Sequence, residues 1–424
     1  MIVVVVLVAL AAVALVAGAH YYIWRRLVRD TTAAGGTARK AGTAVIILLP
    51  VLTFAGVSVG RADTPFVLKQ VLGWPAYMWL ATLLYLLLAL LVGEAVRPVL
   101  RRVLERRAAA GGTETAPAEE PATVGAPAAA GPPDVPATAP AAPAAPAPDP
   151  SRRLFVSRVV GGAAAAAALA TVGYGTSNVL RGPSVKRVTV PLAKLPRATH
   201  GYRIAVVSDI HLGPLLGRAH AQRVVDTINS TNPDLVAVVG DMVDGTVADL
   251  GSAAEPLAGL RSRHGSYFVT GNHEYFGDAG EWVDHVRELG LHPLENARVE
   301  IAGGFDLAGV NDIAGEEEGQ GPDFAKALGG RDPARASVLL AHQPVVIHDA
   351  VKHGIDLQLS GHTHGGQMWP VNYIAQAANP TLAGLEQYGD TALYVTRGAG
   401  AWGPPVRVGA PADITVVQLA SRQA

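Results

Sequence analysis

The chain has no cysteine, and only 16% of its 424 residues are charged. The first absence removes disulfides and thiolate metal ligands. Any metal site must then be assembled from His, Asp, Glu and Asn, donors that suit Mn, Fe or Zn. The second falls well below the usual quarter. With half of the residues hydrophobic, it indicates a membrane protein. The formal net charge of −1 gives no bulk attraction to nucleic acid, and no such partner is expected.

The apolar residues gather at the front of the chain. Residues 2–19 form a continuous apolar run, near the length that crosses a bilayer. The basic segment that opens a secretory signal peptide is absent before it. A second run covers 43–60. A third covers 71–93 and carries Trp74, Tyr77 and Trp79 at one end, as an interfacial aromatic belt does. Residues 1–107 therefore read as a transmembrane region of three helices. Charge within these runs is nearly absent apart from Glu94 at one edge, which argues against a transporter. Arg25, Arg26, Arg29, Arg39 and Lys40 follow the first run, and Arg97, Arg101, Arg102, Arg106 and Arg107 follow the third. Only Arg61 and Lys69 lie between the second and third. The positive-inside rule puts the two Arg-rich loops in the cytoplasm and the N-terminus outside.

Residues 108–150 are Ala, Pro, Gly and Glu with almost no large apolar side chain. Such a segment cannot bury a core and reads as a disordered linker. Residues 151–175 open with Ser151-Arg152-Arg153-Leu154-Phe155-Val156 and continue into an Ala-rich apolar stretch. The pattern resembles a twin-arginine export signal, here at an internal position. It reads as a fourth crossing, which puts everything after about residue 175 outside. The alternative is a surface helix that leaves the remainder in the cytoplasm.

Residues 185–424 look globular. Short β-branched segments recur at 204–207, 235–239, 267–269, 338–340, 357–359, 394–396 and 414–419. Helix-like stretches at 218–229 and 279–289 separate the early ones. Strands alternating with helices indicate a layered α/β domain. Polar clusters stand just after these segments, where ligands gather in such folds. They are Asp209-Ile210-His211, Gly240-Asp241, Gly271-Asn272-His273-Glu274, His342, and Gly361-His362-Thr363-His364-Gly365-Gly366-Gln367. Asp-x-His or His-x-His alone is weak. The series supplies two Asp, one Asn and four His, enough for two metals, with one His to spare.

In this order the motifs resemble the calcineurin-like metallophosphoesterases. The stretches Leu340-Ala341-His342-Gln343-Pro344 and Thr396-Arg397-Gly398-Ala399-Gly400-Ala401-Trp402-Gly403-Pro404-Pro405 resemble a bacterial membrane-associated branch of small phosphodiesterases. The resemblance implies a four-layer αββα sandwich: two β-sheets flanked by helices. It implies that Asp209, His211 and His364 bind one metal, that Asn272, His342 and His362 bind a second, and that Asp241 bridges them. His273 is then the group that stabilises or protonates the leaving oxygen, with Glu274 or Asp244 orienting ligands from behind. Two divalent ions about 4 Å apart can clamp the attacking and leaving oxygens of an in-line displacement, and a water bridging them becomes the nucleophile.

The expected cofactors are thus two divalent metal ions, Mn, Fe or Zn. The expected partners are a phosphate ester and the membrane. Tethering points to a substrate at the membrane surface, such as a lipid-linked phosphate. Arg397 and Arg407 offer guanidinium forks that match phosphate oxygens. Trp369 and Tyr373 either line a substrate groove or pack in the core. Competing readings are a phosphoprotein phosphatase and an inactive membrane sensor or scaffold, although no ligand of the series is missing.

Overall fold

The computed structural model describes residues 2–62, 64–111 and 150–423. The Ala/Pro-rich linker therefore falls almost wholly outside the described residues. The chain divides into two compact units, residues 1–47 with 86–168 and residues 48–85 with 169–424.

Helices dominate the N-terminal half: α1 (Ile2–Ile23), α2 (Thr37–Arg61), α3 (Phe66–Gly111) and α4 (Pro150–Leu180). All four are long and apolar enough to cross a membrane. They outrun the apolar stretches that signal them. Residues 71–93 become the middle of α3, because Leu, Arg, Glu and Ala after Glu94 are strong helix formers. A hydropathy boundary marks where charge begins and not where the helix ends. Within the first unit, Glu94 accepts from Arg26 at 2.6 Å and from Tyr22 Oη at 2.8 Å. The edge charge seen in the sequence is thus paired, as such a position requires.

The second unit holds two six-stranded sheets. One runs β1 (Ser184–Leu192), β12 (Asp413–Ser421), β2 (Tyr202–Val207), β3 (Leu235–Val239), β4 (Ser266–Val269) and β5 (His292–Pro293). The other runs β10 (Gly384–Tyr388), β11 (Thr391–Val395), β9 (Leu357–Ser360), β8 (Ala336–Leu340), β7 (Phe305–Gly309) and β6 (Ala297–Ile301). Pairing is parallel at the centre of each sheet and antiparallel at β12–β2, β10–β11 and β6–β7.

The strands read as unbroken apolar runs because both faces are covered. Ile204, Val206, Leu235, Ala237 and Val239 point into the space between the sheets, where they meet Phe305, Val338 and Leu359. Ala205, Val207, Val236 and Val238 point outward under α5 (Arg218–Ser230), α6 (Val247–Ala254) and α7 (Ala279–Glu288). Leu339 and Leu393 face α8 (Phe324–Leu328) and α9 (Ile347–Lys352) on the far side. Helix, sheet, sheet, helix is the four-layer sandwich expected. Every segment proposed as a strand from sequence lies on one, except that Thr396 falls just past β11.

Phe305 is buried between the sheets with its ring 5.1 Å from Tyr202, edge to face. Phe305→Ala should lower the unfolding free energy by about 3–5 kcal/mol, read as a reduced denaturant midpoint of the full chain in detergent.

Candidate metal centre

The site forms where five parallel strands of the two sheets end. After β2 the chain passes through Asp209 and His211, and after β3 through Asp241. These segments pair with each other: Asp209 N–H donates to Gly240 O at 3.1 Å, and His211 N–H to Asp241 O at 3.2 Å. The loop after β4 carries Asn272 and His273. His342 follows β8, and His362 and His364 follow β9.

Of eight non-glycine residues with positive φ among those described, five are Asp209, His211, Asp241, His362 and His364. Left-handed backbone is costly for such side chains and clusters at functional sites. Here it turns each side chain inward at a strand end. The glycines allow the loops to approach closely. A Cβ on Gly240 (φ 76°) would sit 2.7 Å from Gly271 and from the His342 ring. One on Gly361 would overlap Ser208 and Asp209.

Two sets of ligand atoms converge. In the first, His364 Nε2 lies 3.0 Å from His211 Nε2 and 3.3 Å from Asp209 Oδ1. In the second, His342 Nε2 lies 3.1 Å from Asp241 Oδ2, and His362 Nδ1 lies 3.0 Å from Asn272 Oδ1. Asp241 stands between the sets, its Oδ2 also 3.8 Å from His211 Nε2. Ligand atoms come within 4.8 Å of one another in Asp209–His211–His364, in Asp241–His342–His362 and in His211–Asp244–His273.

The donor chemistry fits cations. His342 Nδ1 is bonded to Val239 O at 2.8 Å. That contact leaves Nε2 as the nitrogen turned toward Asp241. Against the cost of burial, the Asp241 charge raises this imidazole well above the ordinary histidine range, so a cation there would replace a proton. Burial, then the neighbouring His211 and Arg407 charges, push His364 well below the ordinary histidine range. Burial and His342 lower His362 to about 4. Both rings are neutral near pH 7, as ligands must be. Asp209 and Asp241 are 0% and 2% exposed, and burying two such charges side by side needs opposite charge close by.

A surrounding layer holds these groups in place. Asp244 Oδ1 lies 2.7 Å from Nδ1 of both His211 and His273. Burial works against its charge, but the two imidazoles hold its carboxyl at about 2. The fully buried Glu274 accepts from the N–H groups of Gly271, Asp241 and Met242 at 2.6, 3.0 and 2.7 Å. It clamps the β3 and β4 loops together. His273 N–H donates to Asp241 Oδ1 at 2.9 Å, and its Nε2 lies 3.9 Å from Asp241 Oδ2.

The two arginines separate in role. Arg397 is partly exposed and lines a cavity of about 360 Å³ with Gly365, Trp369, Asn372 and Glu386. Arg407 is fully buried and donates to the carbonyls of Gly400, His364, Ala410 and Arg397. Its guanidinium is used inside the domain, so of the two only Arg397 lines a cavity. Trp369 lines the cavity, whereas Tyr373 projects to the surface. Gln367 has a part that sequence reasoning passed over. Its amide N–H groups donate to Trp402 O and Pro404 O, and its Oε1 accepts from Trp402 N–H. The fastening spans two motifs far apart in the chain, so neither motif alone signals it.

This fold, with the ligand series at its strand ends, matches the calcineurin-like phosphoesterase model over residues 202–366, and the chain belongs to that family. The matched stretch holds all seven ligand candidates and stops short of both arginines. The chain is 39% identical over 259 residues to a "Transmembrane protein with metallophosphoesterase domain" of Danio rerio, covering 58% of this chain and 59% of that one. It is 37% identical to an "Uncharacterized metallophosphoesterase" of Helicobacter pylori, covering 59% and 68%. It is 34% identical to one of Aquifex aeolicus, covering 55% and 91%. The chain therefore spans about three fifths of the fish relative's length. Relatives of similar identity come from animals and bacteria alike.

Asp244→Asn should weaken divalent-metal binding roughly 10–100-fold, measured by Mn²⁺ titration of metal-stripped protein. Asp249→Asn, which removes only the pair with Lys69, should leave that affinity unchanged.

Proposed function

We propose that the chain is a membrane-anchored, dinuclear-metal-dependent phosphohydrolase of the phosphodiesterase or pyrophosphatase type. The observation that carries this reading is the pair of ligand sets sharing Asp241 where five strands end. Asp209, His211 and His364 would hold one ion, Asn272, His342 and His362 the other, with Asp241 common to both. Manganese, iron and zinc all accept these donors. When bound, two such ions supply Lewis-acid polarisation of phosphoryl oxygens and a water acidic enough to attack phosphorus in line.

The chain's own groups do the remaining work. Asn272 brings a neutral carbonyl instead of a third carboxylate, so the loaded site keeps positive charge for a phosphate. Asp244 engages Nδ1 of His273, which leaves Nε2 as the nitrogen facing the site. A proton there is placed for the leaving oxygen, and the ionised Asp244 steadies the imidazolium. Arg397 lies beside Gly365, in the turn after His364, and its fork can take a second phosphate oxygen. A substrate at the membrane surface, such as a lipid-linked phosphate, fits the tethering.

The sequence charges and the helix contacts support one topology. Met78 of α3 meets Thr176 of α4, and Gly93 of α3 meets Val160 of α4, the order of antiparallel neighbours. Two antiparallel crossings return the chain to the side from which α3 started. The catalytic domain is then extracytoplasmic, and Arg152-Arg153 begins the helix that carries it across. The tail after Thr396 supports membership of the membrane-associated branch of small phosphodiesterases.

Full-length protein with Mn²⁺ should hydrolyse an aryl phosphodiester, and chelation should abolish turnover until metal is restored. Asp241→Asn should remove it, and unchanged turnover in that variant would refute the reading. His273→Ala should keep its metals and lose about 10²–10⁴ in rate, most with poor leaving groups. Equal loss on good and poor leaving groups would exclude the acid role. A reporter fused after Ala424 should signal from outside the cytoplasm, and a cytoplasmic signal would exclude the fourth crossing.

A further inference from the structure

Large apolar side chains stand exposed beside the metal centre, where the Trp402 ring meets His273 edge to face at 5.8 Å. Helix α10 (Asn372–Ala378) has no buried residue at all. Tyr373 and Ile374 on it are 62% and 72% exposed, and Trp402 nearby is 55% exposed. Single exposed hydrophobics are ordinary, but a contiguous group marks an interaction surface.

What adjoins this group points to its partner. Trp369 N–H donates to Val408 O at 2.9 Å, which ties the start of the α10 segment to the 406–409 loop. That loop lies directly on α4. Arg407 N–H donates to Gly175 O at 3.1 Å, and a Cβ at Gly175 would sit 3.0 Å from Val408. Asn178 of α4 reaches Arg407 O at 3.5 Å. On the other flank, a Cβ on Gly403, next to Trp402, would lie 3.7 Å from the ring of Tyr77 on α3. Gly73 of α3 faces Leu215, and Lys69 pairs with Asp249 at 3.3 Å.

The loops around the centre thus rest on the first turns of α3 and the last turns of α4. Trp74, Tyr77 and Trp79 lie on that part of α3, and such aromatic belts mark the level of lipid headgroups. A rim of Tyr, Ile and Trp beside it has the composition of an interfacial anchor.

We propose that α10 and Trp402 form a membrane-contact surface seated in the headgroup layer of the bilayer that α3 and α4 cross, so that the metal centre opens at lipid level. The occupant of this surface is the phospholipid bilayer itself. The proposal rests on reading α3 and α4 as membrane-spanning, and it deepens the function above. The ester it favours is an amphiphile whose phosphate lies at the interface and whose tail stays in the lipid.

The absence of cysteine gives a direct test. Ile374→Cys, and Asp284→Cys on the exposed outer helix α7, each provide one site for a nitroxide label in the full chain, reconstituted into phosphatidylcholine vesicles. Collision with lipid-soluble oxygen, relative to a water-soluble nickel chelate, should be higher at 374 than at 284. Equal ratios at the two sites would overturn the proposal. Protection of 374 from both reagents would also overturn it, because a second protein copy would then cover the surface. If α3 does not cross, a nitroxide at Leu87, midway along it, is reached by the nickel chelate, and the reading of α3 and α4 fails. A lipid-buried label at 87 with a water-exposed label at 374 refutes only the contact surface. Metal-dependent turnover of the soluble aryl ester is read independently of both.

Discussion

Two carboxylates buried side by side, Asp209 and Asp241, govern the architecture of this domain. Each would cost several kcal/mol to remove from water without a counter-charge, and the surroundings are arranged around that demand. Backbone N–H groups of His362 and His273 point at them. The imidazoles of His362 and His364, held neutral by burial, bring lone pairs into the same space. The loops that carry these groups accept left-handed backbone to do so. Glu274 then spends both carboxyl oxygens on holding the β3 and β4 loops in register, a purely mechanical task. Much of what looks like strain or misplaced charge in the chain is the local cost of building a cation site from parallel strands.

The sheets were legible because their strands are short, β-branched and covered on both faces. Runs such as Leu235–Val239 admit few other readings between turn residues. The ligand clusters were legible for a related reason: each stands immediately after such a run, so strand end and chemistry are one local signal. Asp244 and Glu274 could be named as supporting groups because they sit one to three residues from a ligand. Their separate tasks could not be told apart, since one orients imidazoles and the other binds backbone, and both are simply nearby carboxylates in sequence.

Long-range packing was the illegible part. Arg397 and Arg407 look equivalent beside the same Gly/Pro-rich stretch. Only the tertiary path of residues 397–410 decides that one faces a cavity and the other is enclosed by four carbonyls. The strands β1, β6, β7 and β10 carry polar residues or lie at sheet edges, and their weak patterns gave no segment. The length of α3 was hidden because charge after Glu94 ends the hydropathy signal while helix propensity continues. The seat of the catalytic loops on α3 and α4 involves glycines and backbone carbonyls, which leave almost no trace in composition.

The pairing of β1 with β12 has a consequence for biosynthesis. Ser184 lies opposite Asp413 and Leu192 opposite Ser421, so the first and last strands of the domain are neighbours. Strand β12 also separates β1 from β2. The first sheet therefore cannot close before residues 413–421 have been made, and β2 lacks one neighbour until then. Non-local pairing of this kind is slow and exposes apolar surface meanwhile. The four helices, each satisfied by local hydrogen bonds, can form long before. The order of assembly is thereby set by topology: the helices first, and the first sheet only after residues 413–421 have emerged.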